Sequence, residues 1–395
     1  MGIGEDGVDG LGLAAREAIA KAEVVFGGRR HLALAAPLVR GSRRPWPSPF
    51  DGAIDAVLAE RGRPVCVLAS GDPFHHGIGP LLVQRLAPSE WLAFPAPSSF
   101  SLAAARLGWS LPDTALVSVH GRALERLRPH LFDAARVLAL TSDDTAPRRI
   151  AELLASSGFG NSTLTLLESL GGARERIRSA SAQGFALDGV DPLHVLAIEV
   201  RAGPDARVLP RAAGLADELF EHDGQLTKRE IRALALSSLA PRRGELLWDV
   251  GAGAGSIGIE WMLADPSLRA IAIEAQPERA ARVRRNAERL GVPELRVVEG
   301  RAPDALADLP CPTAIFVGGG AGDPGVLERA IDALPRRGRL VVHAVTLETE
   351  AIVLARQAAL GGELVRLEVS RAGPLGSLHA WRPALPVTQW CWRKP

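Results

Sequence analysis

Leu247-Trp248-Asp249-Val250-Gly251-Ala252-Gly253-Ala254-Gly255-Ser256-Ile257-Gly258 sets a glycine-rich turn between an apolar strand and a helix. Glycine is needed where backbone must come close to a ligand or take a positive φ. A helix starting at Ser256 is expected to offer free N–H groups to a ligand's polar atoms. Glu274 ends the next expected strand, 19 residues after Gly255. An acidic side chain there can take both hydroxyls of a ribose. A turn needed only for tight strand–helix packing is the plainer alternative. A nicotinamide site is another, although that fingerprint wants Gly or Ala where Ser256 stands.

The pattern continues on both sides of the turn. Expected strands are Leu246–Val250, Ala270–Glu274, Leu295–Val298, Ala314–Val317 and Leu340–Ala344. Between them lie helical patterns at Ser256–Ala264, Pro277–Leu290, Pro324–Leu334 and Leu347–Leu360. Towards the end, Val365–Ser370, Leu378–Trp381 and Val387–Trp392 read as short strands, with a loop from Arg371 to Ser377. They predict an antiparallel edge on a parallel sheet. Earlier in the chain, strands are expected at Val24–Phe26, Val65–Ala69, Leu116–Val119, Val137–Thr141, Thr163–Leu167 and Val195–Val200. Helices are expected at Gly52–Arg61, Pro80–Leu86, Phe100–Leu107 and Ala146–Ser156. Strict alternation of strand and helix predicts α/β architecture with largely parallel sheets in both parts. The punctuation Arg201-Ala202-Gly203-Pro204-Asp205 marks a joint, giving expected domains at 1–205 and 206–395.

Composition narrows the function classes. The 395 residues suit two domains or three at roughly 150 residues each. At 47% hydrophobic and 23% charged, the chain reads as globular rather than disordered. There is no apolar run of about 18 residues to span a membrane, and the N-terminus shows no secretion signal. Cys66, Cys311 and Cys391 lie too far apart for a zinc knuckle or a disulfide framework. A cytoplasmic, metal-free protein is therefore expected. Lys plus Arg number 21 against 22 Asp plus Glu up to residue 205, and 25 against 23 beyond it. Neither half is basic, so an extended nucleic-acid surface is disfavoured.

The 251–255 turn resembles the GxGxG turn of Rossmann-like S-adenosylmethionine (SAM) methyltransferases. In such enzymes Gly300-Arg301-Ala302-Pro303-Asp304 would wrap the adenine, and Phe316-Val317-Gly318-Gly319-Gly320 would border the methyl acceptor. The first part carries Gly2-Ile3-Gly4-Glu5-Asp6-Gly7, Ser70-Gly71-Asp72-Pro73, Pro97-Ser98-Ser99, His120-Gly121-Arg122 and Glu168–Glu175. In this order they resemble the tetrapyrrole (corrin/porphyrin) methyltransferase family. Val24-Val25-Phe26-Gly27-Gly28-Arg29-Arg30-His31-Leu32 is similar to the branch acting on precorrin-6Y. Asp223–Glu230, Gly318-Gly319, Leu378–Pro383 and Pro386–Trp390 resemble that branch's fused partner. The family has an apolar strand before its first glycine turn; only Met1 precedes Gly2 here, so that strand is expected to be mostly missing.

The resemblance implies a tetrapyrrole methyltransferase domain for carbon 5, followed by a Rossmann-like methyltransferase and decarboxylase for carbon 15, in cobalamin biosynthesis. It implies SAM as cofactor, held by Thr227, Gly251, Ala252, Gly253, Ala254, Gly255, Glu274, Arg301, Ala302 and Gly318 in the second domain. In the first domain it implies Gly71, Asp72, Pro73, Ser98 and Ser99. The substrate would be an acidic tetrapyrrole and the enzyme a homo-oligomer. With a net charge near zero, carboxylates must be held by a few placed arginines. Arg371, His379 and Arg382 are the expected clamp, and His75-His76 could touch substrate in the first domain. A cofactor-sensing binding protein, or a methyltransferase for another small molecule, stays open on the residues alone.

Overall fold

The computed structural model describes every residue from Met1 to Pro395. The chain divides into two compact units. The first comprises Met1–Leu124 and His130–Arg207; the second comprises Val208–Pro395 with Glu125–Pro129. No helix is long and apolar enough to cross a membrane.

The second unit is built on a seven-stranded sheet. Its spatial order is Arg296–Glu299, Arg269–Glu274, Leu246–Val250, Ala314–Val317, Arg339–Ala344, Val387–Arg393 and Glu363–Leu367. The first five strands are parallel, and Val387–Arg393 runs antiparallel to both its neighbours. The inner parallel strands are buried on both faces, which is why they read as unbroken apolar runs. Alternate side chains feed two cores. Leu247, Ala272 and Phe316 pack with the helices Arg229–Leu239, Ser256–Ala264 and Pro277–Arg289. Trp248, Ile273 and Val317 face the other way, towards Val326–Ala333 and Leu347–Leu360. Helices on both faces of a twisted parallel sheet place the strands' C-terminal ends along one crevice, where ligands of such folds bind.

One expectation here needs correction. The stretch Arg371–Ser377 is not a loop: Ser370–Leu375 is a strand, paired antiparallel with Leu378–Pro383 in a separate two-stranded ladder. Gly373-Pro374 looks like loop punctuation, but in a two-stranded ribbon every strand is an edge, where proline is tolerated. The expected antiparallel edge is present: Val387–Arg393 pairs antiparallel with Arg339–Ala344, and Glu363–Leu367 lies outermost.

The first unit holds a small parallel sheet, Ser42–Pro45 beside Val24–Gly27 beside Val65–Val67. The expected strand at Val65–Ala69 is split, because Ala69–Ser70 leaves to pair with Gly2–Ile3. The N-terminal strand is thus two residues long, and the Met1 ammonium donates to the Val67 carbonyl at 2.9 Å. A second sheet of five strands runs Ala115–Ser118, Arg136–Leu140, His194–Glu199, Thr163–Glu168, Arg176–Ser181. Only its first pair is parallel, so the expectation of a largely parallel sheet fails here. The turn Ser169–Glu175 is too short for a crossover, and a short connection between paired strands forces them antiparallel. Arg176–Ser181 escaped the sequence reading because its side chains are mostly exposed, giving no apolar run.

Candidate active sites

At the C-terminal ends of the second unit's parallel strands lies a cavity of about 590 Å³. The glycine turn forms its floor. Gly251 has φ 70°, and a Cβ added there would stand 2.7 Å from the Gly319 carbonyl oxygen. Gly253 has φ 57° and presses against the Gln225 carbonyl. Both positions border the cavity without a side chain. Gly255 serves differently: it caps the helix at φ 77°, where a Cβ would collide with the Val283 side chain at 2.6 Å. Ala254 is buried in the core, and neither residue borders the cavity.

Four amides of the turn are taken up within the protein. The N–H groups of Gly251 and Ala252 both donate to the Ile273 carbonyl, and that of Gly255 donates to Ala252. Gly253 donates to the Glu274 carboxylate at 2.9 Å. At Gly251 and Gly253 the turn gives the cavity bare backbone surface. Glu274 also accepts the Gln276 N–H at 3.0 Å and lines the cavity. A carboxylate has about four lone-pair sites, so it keeps acceptor capacity for a ligand's hydroxyls.

Thr227, Arg301, Ala302 and Gly318 all border this cavity. Thr227 is fixed from behind by Arg232, which is fully buried and donates to the Thr227 carbonyl. Arg232 also binds Glu260, Asp217 and the Leu215 carbonyl. Arg301 reaches across to Asp323 at 3.0 Å. Of the expected clamp, only Arg371 lines the cavity. Arg382 faces its cross-strand partner Arg371 but folds over Gly373, donating to the Pro374 carbonyl of its own hairpin. His379 pairs with Pro374, one residue out of phase with that face. Side chains alternate along a strand, so the three do not converge as expected.

Two titratable groups are held uncharged-leaning by their surroundings. Burial, with the Glu274 charge adding to it and the Gly258 N–H opposing it, pushes the Asp249 carboxyl up to about 7. Burial pulls His343 down to about 4, so its ring is neutral near pH 7. His343 lines the cavity edge-on to Phe316, with centroids 4.9 Å apart. Its Nε2 meets the Gln389 Oε1 at 2.9 Å, while the Gln389 Nε2 donates to Ser238. That orientation makes His343 Nε2 the donor and leaves Nδ1 unprotonated. Sequence reasoning missed His343. The available signal was a histidine interrupting the apolar run Leu340–Ala344 at the C-terminal end of a strand.

The first unit has its own cavity of about 690 Å³. Ser98 and Ser99 line it, and Ser98 also caps the helix Ser99–Leu107 by accepting the Ser101 N–H. Five of the nine histidines line it: His31, His75, His76, His120 and His194. Arg122 joins them, and no Asp or Glu does. Burial, then the adjacent Arg30 charge, lowers His31 to about 4. Arg30 ties the surrounding loops together, bonding Glu5, His31 and Ser70. Gly71 lines a smaller neighbouring pocket, with Pro97 backbone 2.8 Å from where its Cβ would be. Asp72 instead closes its own turn by accepting the Phe74 N–H, and Pro73 faces a separate apolar pocket.

Known proteins share this division. Residues 1–185 match the family model of tetrapyrrole (corrin/porphyrin) methylases, and residues 218–394 match that of the precorrin methyltransferase domain. A protein of Sinorhizobium sp named precorrin-6Y C(5,15)-methyltransferase [decarboxylating] is 60% identical, covering 100% of this chain and 95% of that protein. A Mycobacterium tuberculosis protein of the same name is 41% identical over 99% of this chain and 98% of its own. A shorter Salmonella typhimurium protein, named cobalt-precorrin-6B C(15)-methyltransferase (decarboxylating), is 35% identical over 44% of this chain and 92% of its own. A crystal structure of the C-terminal domain of precorrin-6Y C5,15-methyltransferase from Rhodobacter capsulatus aligns at 43% identity and TM-score 0.45, covering 47% of this chain and 100% of that one. The two units and these full-length relatives together define a two-unit α/β methyltransferase. The chain belongs to the precorrin-6Y C(5,15)-methyltransferase (decarboxylating) family.

Proposed function

We propose that the chain methylates precorrin-6Y at carbons 5 and 15 with SAM as donor. It releases the ring C acetate carboxylate as CO₂, giving precorrin-8X in cobalamin biosynthesis. Residues 1–205 act at carbon 5; residues 206–395 act at carbon 15 and decarboxylate. The observation carrying this reading is that each unit has its own cavity, the second bordered by the close-packed Gly251 and Gly253.

The second unit's cavity fits the donor. Gly251 and Gly253 leave bare backbone where a Cβ would intrude, and Glu274 keeps lone pairs for ribose hydroxyls. Thr227, Arg301, Ala302 and Gly318 complete its walls. When bound, SAM supplies an already activated methyl group. The residues of the chain therefore have mainly to orient the acceptor carbon. His343 Nδ1 is an acceptor suited to a pyrrole N–H, and Arg371 offers a carboxylate its planar fork. Val369 and Leu385 line the same cavity. When the carboxylate leaves as CO₂, the electron pair of its bond enters the adjacent ring. In the first unit, Gly71, Ser98 and Ser99 are the donor contacts, and an acid-free wall of histidines and Arg122 suits a polycarboxylate.

Incubation with precorrin-6Y and ¹³C-methyl SAM tests the reading. Two labelled methyl groups at carbons 5 and 15, together with one CO₂, are expected. A single methyl, or no CO₂, refutes it.

A further inference from the structure

Four cationic side chains line the second unit's cavity: Lys228, Arg279, Arg301 and Arg371. Every one already has a protein carboxylate beside it. Lys228 lies 4.0 Å from Asp217, Arg279 2.9 Å from Asp223, Arg301 3.0 Å from Asp323, and Arg371 bonds Glu230. A polyanionic substrate thus meets cations that are neutralised in advance. Its carboxylates compete with those of the protein for these cations.

The four pairs differ in how readily they can be exchanged. Asp223 is also bound by Arg282 and by the Gln225 N–H; with the bond from Arg279, these hold its carboxyl well below the usual carboxylate range. Asp217 is anchored by the buried Arg232. Asp323 itself lines the cavity and would stay against any ligand there. Glu230 and Arg371 have only each other. Both are about half exposed, at 44% and 46%, and an exposed pair is worth only about 0–1 kcal/mol. Glu230 sits in the first turn of the helix Arg229–Leu239. The helix dipole there stabilises its charge after release. Arg371 shares its part of the wall with Val369, Leu385 and Val387, apolar neighbours for a macrocycle whose carboxylate replaces Glu230.

We propose that Glu230 is the specificity-determining placeholder of this cavity: it occupies Arg371 until a substrate carboxylate takes its place. This rests on the reading that the second unit methylates an acidic tetrapyrrole. The pair keeps Arg371 pointed at the site and makes entry conditional on an anion able to outcompete a tethered carboxylate. A neutral ring of the same size gains nothing by the exchange.

The test measures KM for precorrin-6Y and affinity for S-adenosylhomocysteine (SAH) in full-length wild type, Glu230→Gln, Arg371→Gln and the double variant, at low and high salt. Glu230→Gln is expected to lower KM roughly two- to fivefold at low salt, the scale of one exposed ion pair. Arg371→Gln is expected to raise KM, and the double variant to show no gain over Arg371→Gln. SAH affinity stays at the wild-type value throughout. An unchanged or raised KM in Glu230→Gln overturns the proposal. So does an equal gain in the Arg371→Gln background, which is plain charge repulsion. A wild type that does not act on precorrin-6Y overturns the underlying function, whereas an active wild type with an unresponsive Glu230→Gln overturns the placeholder alone.

Discussion

The Glu274 carboxylate accepts the backbone N–H of Gly253 at 2.9 Å, so the acid ending one strand closes the glycine turn that follows its neighbour. The same side chain that borders the cavity therefore also shapes its floor. Glu274→Ala removes an acceptor from the Gly253 N–H and from any bound ribose. Losing a charged hydrogen bond costs about 1.5–3 kcal/mol, so SAH affinity at this site is expected to fall some ten- to a hundredfold. Calorimetric titration is expected to count two SAH molecules per wild-type chain and one in the variant at moderate concentrations. A wild-type count of one, or loss of both, contradicts the two-site arrangement.

Asp249 and His343 oppose each other over one pH window. The folded Asp249 value near 7 lies above its reference of 3.8, so its contribution is full below 3.8 and is lost as pH rises towards 7. The folded His343 value near 4 lies below its reference of 6.5, so its contribution is full above 6.5 and is lost as pH falls towards 4. Each swing is roughly 3–4 kcal/mol. In the wild type they largely cancel between pH 4 and 6.5. Relative to wild type, Asp249→Asn is expected to gain stability as pH rises through this range, and His343→Asn to gain it as pH falls. Denaturant midpoints of variant minus wild type, taken from pH 4.5 to 7, check both slopes.

Gly251→Ala and Gly376→Ala both place a side chain at positive φ, but only the first meets backbone. The Gly376 site is open, so strain alone costs about 1–2 kcal/mol. At Gly251 the added carbon also collides with the Gly319 carbonyl. A melting-temperature loss clearly larger for Gly251→Ala is expected, with loss of SAH binding at that site only.

Arg232→Met strands the Glu260 carboxylate, which keeps only the Gly214 and Leu215 N–H groups at 2.6 and 3.0 Å. Breaking one side of a buried pair costs about 3–5 kcal/mol. Adding Glu260→Gln is expected to recover part of this. Equal stabilities of the single and double variants in urea contradict that account.

Residues 206–395 contain all seven strands of their sheet and the whole glycine turn. Expressed alone, this fragment is expected to fold, add one methyl group and release CO₂. A soluble, SAH-binding fragment that releases none assigns decarboxylation elsewhere.

Most of the second unit was legible in the sequence because buried parallel strands leave unbroken apolar runs, punctuated here by Gly251–Gly255 and Gly318–Gly320. The Arg176–Ser181 strand was not, since its neighbour Thr163–Glu168 supplies the register while its own side chains face outward. The occupied amides of Gly251, Ala252 and Gly253 could not be read either: their acceptors, Ile273 and Glu274, come from a different strand. Gly373-Pro374 was misread because an edge ribbon tolerates what an interior strand rejects. His343 was overlooked because its chemistry depends on Gln389 and Ser238, which only the folded sheet brings to it.

The strand Val387–Arg393 lies between Arg339–Ala344 and Glu363–Leu367, both of which precede it in sequence. During synthesis those two strands leave the ribosome with a vacancy between them, and neither can close on the other. Their unpaired edges stay available to wrong partners until Val387–Arg393 emerges. A ribosome that stalls or terminates early in this region releases a product with its glycine turn made and its sheet unsealed. Such products are expected to be recognised by chaperones and proteases, so the order of strands makes synthesis through Val387–Arg393 a condition for survival of the fold.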